Sequence, residues 1–139
     1  MRQKVYRFSQ EERERLIGHL LGILENHGEV VFSYVFGSFA EGEPFHDIDI
    51  GIYLSDITNE QSTPYSLALS QDLSTRLQVP ADVRILNFAP VSFLYHVIRG
   101  RLVSERNEEI RLRIVERTIQ RYLDLKPIIR RGVKEAFGG

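Results

Sequence analysis

Two apolar runs constrain the architecture of this chain. Val30-Val31-Phe32-Ser33-Tyr34-Val35-Phe36 and Asp47-Ile48-Asp49-Ile50-Gly51-Ile52-Tyr53-Leu54 both read as strands, rich in the β-branched and aromatic residues that favour pleated sheet. About ten residues separate them, fewer than a parallel crossover requires. The pair predicts an antiparallel or mixed sheet, with helices packed on it, rather than a doubly wound parallel sheet. The fold class is therefore α+β.

The second run carries a chemical oddity. Asp is a poor strand former, yet Asp47 and Asp49 alternate with Ile48, Ile50 and Ile52. Residues two apart on a strand share a face about 6.5–7 Å apart. Two like charges at that distance repel by roughly 2 kcal/mol at an effective dielectric near 20. A cation between them reverses the sign, and paired carboxylates are hard oxygen ligands suited to Mg2+ or Mn2+. Taken alone, an Asp-x-Asp pair more often marks an exposed strand edge or a turn cap.

The remaining elements follow from periodicity and punctuation. Residues 9–27 predict a helix, with Ser9 as cap, Glu11 and Glu12 in the first turn, and Leu16, Leu20, Ile23 and Leu24 at helical spacing. Gly28 is expected to end it at a left-handed position. Residues 38–41 form a short helix or turn, and 55–62 a polar loop. Residues 63–78 form a second helix with Pro64 near its first turn. After the break at Val79-Pro80-Ala81, residues 82–86 read as a third strand. Pro90 opens a helix that runs to about Arg99 and stops at Gly100. Residues 107–137 are helical, broken or kinked near Pro127. There Ile110, Ile114, Thr118 and Tyr122 line one face, and Arg113, Arg117 and Arg121 another.

Composition narrows the class. A chain of 139 residues, 42% hydrophobic and 27% charged, suits one globular domain over 1–139, with a core of about 10–105 and a helical extension of about 107–137. Net charge is −1, so no global polycation calls for nucleic acid. The charge is uneven. Residues 1–100 carry 8 Lys/Arg against 13 Asp/Glu, a net of −5, and residues 101–139 carry 10 against 6, a net of +4. The absence of cysteine removes disulfides, thiolate zinc sites and a Cys nucleophile. No apolar run approaches the roughly 20 residues of a membrane span, and the N-terminus shows no apolar leader. A cytoplasmic location is the expectation.

Two further features bear on chemistry. Gly37-Ser38 directly follows the first strand, where a glycine lets the backbone approach a phosphate and helix-start amides cradle it. Ser38-x-x-Glu41 also reads as a capping box, which needs no ligand. Asp82 opens the third predicted strand and shares a face with Arg84 and Leu86. If that strand lies beside the second, three aspartates converge and can hold two cations about 3.5–4 Å apart; alone, Asp82 reads as a turn residue. His46 is expected to face away from the aspartates in a loop role. His19, His27 and His96 read as structural, and Phe93, Tyr95 and Tyr122 as core or interface. The arginines of the last helix read as a solvated face, or as a docking surface for an acidic partner.

Together these pieces resemble the DNA polymerase β-like nucleotidyltransferase superfamily. Val35-Phe36-Gly37-Ser38-Phe39-Ala40-Glu41-Gly42 followed by Asp47-Ile48-Asp49-Ile50-Gly51-Ile52 is similar to the minimal nucleotidyltransferases, including the MntA-type antitoxins encoded beside HEPN-domain toxins. The resemblance spans roughly residues 10–125. It implies that Gly37 and Ser38 hold a nucleoside triphosphate and that Asp47, Asp49 and Asp82 bind two Mg2+ ions. It further implies that Asp82 acts as base toward an acceptor hydroxyl. ATP is then the nucleotide donor, and the acceptor a tyrosine of a HEPN toxin partner, with a homo- or hetero-oligomer as the working assembly. Two differences from the family pattern lie together: eight residues, 39–46, separate Gly-Ser from Asp-x-Asp where about ten are usual, and Glu41 stands where an Arg or Lys is common. The rival expectations are an inactive protein of this fold that neutralises a toxin by binding, and transfer to a small molecule.

Overall fold

The computed structural model describes residues 3–136. The first helix, α1 (Gln10–Leu24), begins with a reciprocal cap: the Glu12 amide donates to Ser9 Oγ at 3.1 Å and the Ser9 amide to Glu12 Oε1 at 2.9 Å. It ends earlier than its periodicity suggests. Glu25, in right-handed helical conformation, closes it, and a turn from His27 to Val30 leads into the sheet. Gly28 lies in that turn and does not take the left-handed conformation expected of it.

The sheet consists of β1 (Val30–Phe36), β2 (Ile48–Leu54), β3 (Ala81–Ile85) and β4 (Arg101–Glu105), in the order β3-β2-β1-β4. β1 is antiparallel to both β2 and β4, and β2 is parallel to β3. The sheet is mixed, as expected. Four further helices are α2 (Gly37–Ala40), α3 (Asn59–Leu77), α4 (Val91–Ile98) and α5 (Glu108–Ala136).

Strand alternation sorts the side chains onto two faces. Ile48, Ile50 and Ile52 are fully buried on one, where Leu20 and Leu24 of α1 and Leu69 and Leu73 of α3 pack over them. Phe32, Tyr34 and Phe36 occupy the other face, under Val97 of α4 and Ile110 and Ile114 of α5. At about 25 cal/mol per Å2 of apolar surface removed from water, each fully buried large side chain contributes about 1.5–3 kcal/mol. The two faces thus carry most of the cohesion.

Three boundaries differ from expectation. α3 starts four residues early, because Thr58 and Gln61 form a second reciprocal cap; part of the 55–62 loop is therefore helical. α5 runs unbroken past Pro127, and its stripe behaves as read: Thr118 is buried, and Tyr122 stacks on Tyr95 at 3.7 Å between centroids. β4 is an element the sequence reading did not contain. It pairs Ser104 with Ser33, whose hydroxyls are 2.5 Å apart, and Arg101 with Val35.

The outer edge of β3 is covered from α3. Ser74 Oγ accepts from the Ala81 amide at 2.8 Å, and Ser70 Oγ accepts from the Val83 amide at 2.9 Å. Among the described residues, no helix is long and apolar enough to cross a membrane.

Candidate active site

Sheet register brings the acidic residues together. Asp49 lies opposite Phe36 of β1 on one side and opposite Asp82 of β3 on the other. Asp47 precedes β2 by one residue. With the isoleucines buried on the opposite face, all three carboxylates stand at the end of the sheet where β1 gives way to α2. One carboxylate oxygen from each lies within 4.8 Å of the others.

Gly37 borders this cluster and is demanded there twice over. Its φ of +76° is left-handed, and a Cβ at this position would stand 2.5 Å from Asp49 Oδ2. The backbone turns so sharply that α2 begins at once, with Phe36 as N-cap and no side-chain cap. Ser38 therefore sits inside the helix, and the capping box between Ser38 and Glu41 does not form.

The short turn over residues 39–46 is tightly held. Arg13 of α1 is buried and donates to the carbonyls of Phe39, at 2.9 Å, and Glu43, at 3.1 Å. Its guanidinium also lies over the Phe39 and Phe45 rings. Phe45 exchanges two backbone hydrogen bonds with Tyr6, and His46 Nδ1 lies 3.0 Å from the Lys4 carbonyl. His46 is thus tied to the loop and stands outside the carboxylate group.

Burial first, then the charges of Asp47 and Asp82, raise the pKa of Asp49 to about 6, while Arg84 works in the opposite direction. Arg84 Nε donates to Asp82 Oδ2 at 3.1 Å. One arginine against three carboxylates leaves the cluster short of positive charge, a deficit that a divalent cation fits. The stability that protonated Asp49 contributes is complete below its ordinary value of 3.8 and is lost as pH rises through about 6. Asp49→Asn is therefore expected to stabilise the metal-free protein at pH 7. Each pKa unit corresponds to about 1.4 kcal/mol; halved for solvent screening, the gain is about 1–2 kcal/mol. Differential scanning calorimetry in EDTA should show Tm rising by about 3–6 °C, and little of that gain at pH 4.

Two clefts adjoin the cluster. A cleft of about 290 Å3 beside Gly37 is lined by Phe36, Ala40, Glu41, His96, Arg99 and Gly100. A groove of about 420 Å3 runs beside β3 between Ser62, Thr63 and Ser66 of α3 and Pro90, the N-cap of α4, with Phe93, and has Arg84 on its wall. Sequence reasoning missed Arg84 as the partner of Asp82, although strand alternation puts residues 82 and 84 on one face. His96, read as structural, packs edge-on to Phe36 and also lines the smaller cleft. Phe93 packs edge-on to Phe36, and Tyr95 and Tyr122 stack on each other, as packing roles require.

The model of the family described as Polymerase beta, Nucleotidyltransferase matches residues 19–109, a span that holds the Gly37 turn and all three carboxylates. The chain belongs to the polymerase β nucleotidyltransferase family. No curated protein matches the sequence. Solved structures share the nucleotidyltransferase fold at low identity. A chain from the complex of tri-AMPylated Shewanella oneidensis HEPN toxin with MNT antitoxin superposes with a TM-score of 0.71 at 18% identity, over 90% of this chain and 98% of that one. A chain of the toxin–antitoxin MntA-HepT gives 0.66 at 19% identity, over 93% and 99%. A toxin–antitoxin chain from a structure with AMP-PNP gives 0.72 at 19%, over 87% and 98%. As a nucleotidyltransferase, the chain has its carboxylates and its glycine turn at one end of a mixed four-stranded sheet.

Proposed function

We propose that this nucleotidyltransferase is a Mg2+-dependent adenylyltransferase that moves AMP from ATP to a tyrosine hydroxyl of a HEPN toxin, and so acts as an antitoxin. The observation that carries this reading is the convergence of Asp47, Asp49 and Asp82 beside the left-handed Gly37. These three side chains would hold two magnesium ions. Bound there, magnesium supplies positive charge to the phosphate oxygens and to the attacking hydroxyl.

The chain's own residues supply position. Gly37 lets the backbone approach a phosphate that any side chain would exclude. Ser38, free of a capping role, offers a hydroxyl donor. Asp82 lies at the end of the carboxylate row away from Gly37, where an acceptor hydroxyl can enter and lose its proton to the carboxylate. The hydroxyl oxygen bonds to the α-phosphorus as the bond to the departing pyrophosphate breaks. Arg84 fixes Asp82 in orientation. Catalysis of this kind is mainly positioning and neutralisation of charge.

A protein acceptor fits two further facts. The solved structures of this fold include complexes named as toxin with antitoxin. On α5, Leu112, Ile119 and Leu123 are 47%, 40% and 57% exposed and recur at helical spacing. Such a stripe is the kind of surface a protein partner covers. The stripe also favours the rival reading, neutralisation by binding alone. Incubation of a HEPN toxin with the protein, Mg2+ and α-labelled ATP separates the two. Label on the toxin, lost with Asp47→Asn or Asp49→Asn, is the expected result. An unlabelled toxin that wild type and both variants still neutralise would sink the enzyme reading.

A further inference from the structure

We infer that Arg13 of α1 is a positioning residue for the active site, setting the separation between the Gly37-Ser38 turn and the carboxylates of Asp47 and Asp49. This rests on the adenylyltransferase reading above and adds to it a residue outside the reacting groups. α2 needs outside support. It spans four residues, Gly37–Ala40, with no side-chain cap at its start, far short of the length at which a helix holds itself. Arg13 supplies that support at the end of the helix, where its Nη1 donates to the Phe39 carbonyl at 2.9 Å, one residue past Ser38. Its Nη2 donates to the Glu43 carbonyl at 3.1 Å. The same guanidinium lies 5.8 Å from the ring of Phe45, two residues before Asp47. One planar fork thus spans the segment that joins the two halves of the site.

Packing alone does not account for this residue. Arg13 is 7% exposed, and among the described residues it forms no ion pair with a carboxylate. A guanidinium held only by carbonyls and ring faces is costly to desolvate, and an apolar side chain fills such a space without that cost. What an apolar side chain cannot do is hold two carbonyls in set directions. Arg13 also stands on a firm base. Its neighbour Glu14 holds Arg101 of β4 through two contacts of 2.5 and 2.8 Å. β4 in turn pairs with β1, which leads directly into Gly37. The eight residues from Phe39 to His46 leave little slack, so a shift at Phe39 or Glu43 is passed on to Asp47 rather than absorbed.

Mn2+ titration, followed by the EPR signal of the free ion, tests the role together with single-turnover AMP transfer to a HEPN toxin in Mg2+. Arg13→Met keeps an unbranched stem over the two rings and removes both hydrogen bonds. It is expected to weaken Mn2+ binding and to slow transfer by about tenfold each, with the half-saturating toxin concentration unchanged. Arg13→Lys, a point donor without the fork, is expected to fall between, and it carries the test if Arg13→Met does not fold. Leu54→Ala is the control for stability. It truncates a buried side chain at the end of β2 remote from Asp47, and should lower the urea midpoint with Mn2+ binding and transfer unchanged. An Arg13→Met protein that loses stability but binds Mn2+ and transfers AMP as wild type does overturns the positioning role and leaves the adenylyltransferase reading standing. If wild type binds Mn2+ but transfers nothing, that reading falls, while weaker Mn2+ binding by Arg13→Met still supports the positioning role and equal binding overturns it. If wild type does neither, both fall.

Discussion

Asparagine at position 47 or 49 is expected to lower the rate of AMP transfer by about 1,000-fold or more. The amide keeps the shape of the carboxylate and loses its charge, so the sheet register that positions it persists. What disappears is the negative charge that, on the proposed reading, would hold metal at the reacting phosphate. Among the described residues, the carboxylates hold one ion pair, between Asp82 and Arg84, which leaves Asp47 and Asp49 as the remaining negative charge of the cluster. The expected result carries an internal check. Asp49→Asn should be nearly inactive and, in EDTA at neutral pH, more stable than wild type. A variant that lost both activity and stability would point to a structural role for Asp49. Single-turnover transfer to the toxin, measured at saturating ATP, separates the chemical step from nucleotide binding.

Gly100→Ala is expected to cost about 3 kcal/mol, the upper end of overpacking. The new methyl would meet backbone, at 2.2 Å from the Val35 carbonyl oxygen, and backbone cannot step aside as a flexible side-chain tip can. The strand β1 on which it presses lies at the centre of the sheet. Urea unfolding should show the midpoint falling by roughly 1–2 M. Gly18→Ala is the control. It lies in α1, where a Cβ meets nothing within 4 Å, and it should raise stability by about 0.5–1 kcal/mol. Equal effects at the two glycines would show that the contact between Gly100 and β1 is not a constraint.

Much of the site was legible because its determinants are local. The span of β1 matches its apolar run residue for residue. The alternation in β2 put three isoleucines in the core and the aspartates opposite, as the structure has them. Asp82 joined them because β3 pairs with β2 in the register that convergence required. Caps were legible only where the backbone agreed. Ser9 caps α1 as read, whereas Ser38 follows a left-handed glycine and is already inside its helix. The Thr58-x-x-Gln61 cap that starts α3 was in plain view and was passed over. β4 could not be read locally. Its five residues include only Leu102 and Val103 as apolar members, and its stability comes from distant partners. Ser33 pairs with Ser104, and Glu14 of α1 holds Arg101 through two contacts of 2.5 and 2.8 Å. Arg99 lines the cleft beside Gly37 because β4 returns the chain to β1, so its position was equally hidden.

The serines that cover β3 have a consequence for how this molecule behaves in a crowd. An uncovered strand edge is a template, and a second molecule can lay its own strand along the free amides. Here Ser70 and Ser74 occupy the outward amides of Val83 and Ala81, so the first rungs such an intruder would need are taken from within. Extension of the sheet from one molecule into the next is thereby discouraged at the strand that carries Asp82.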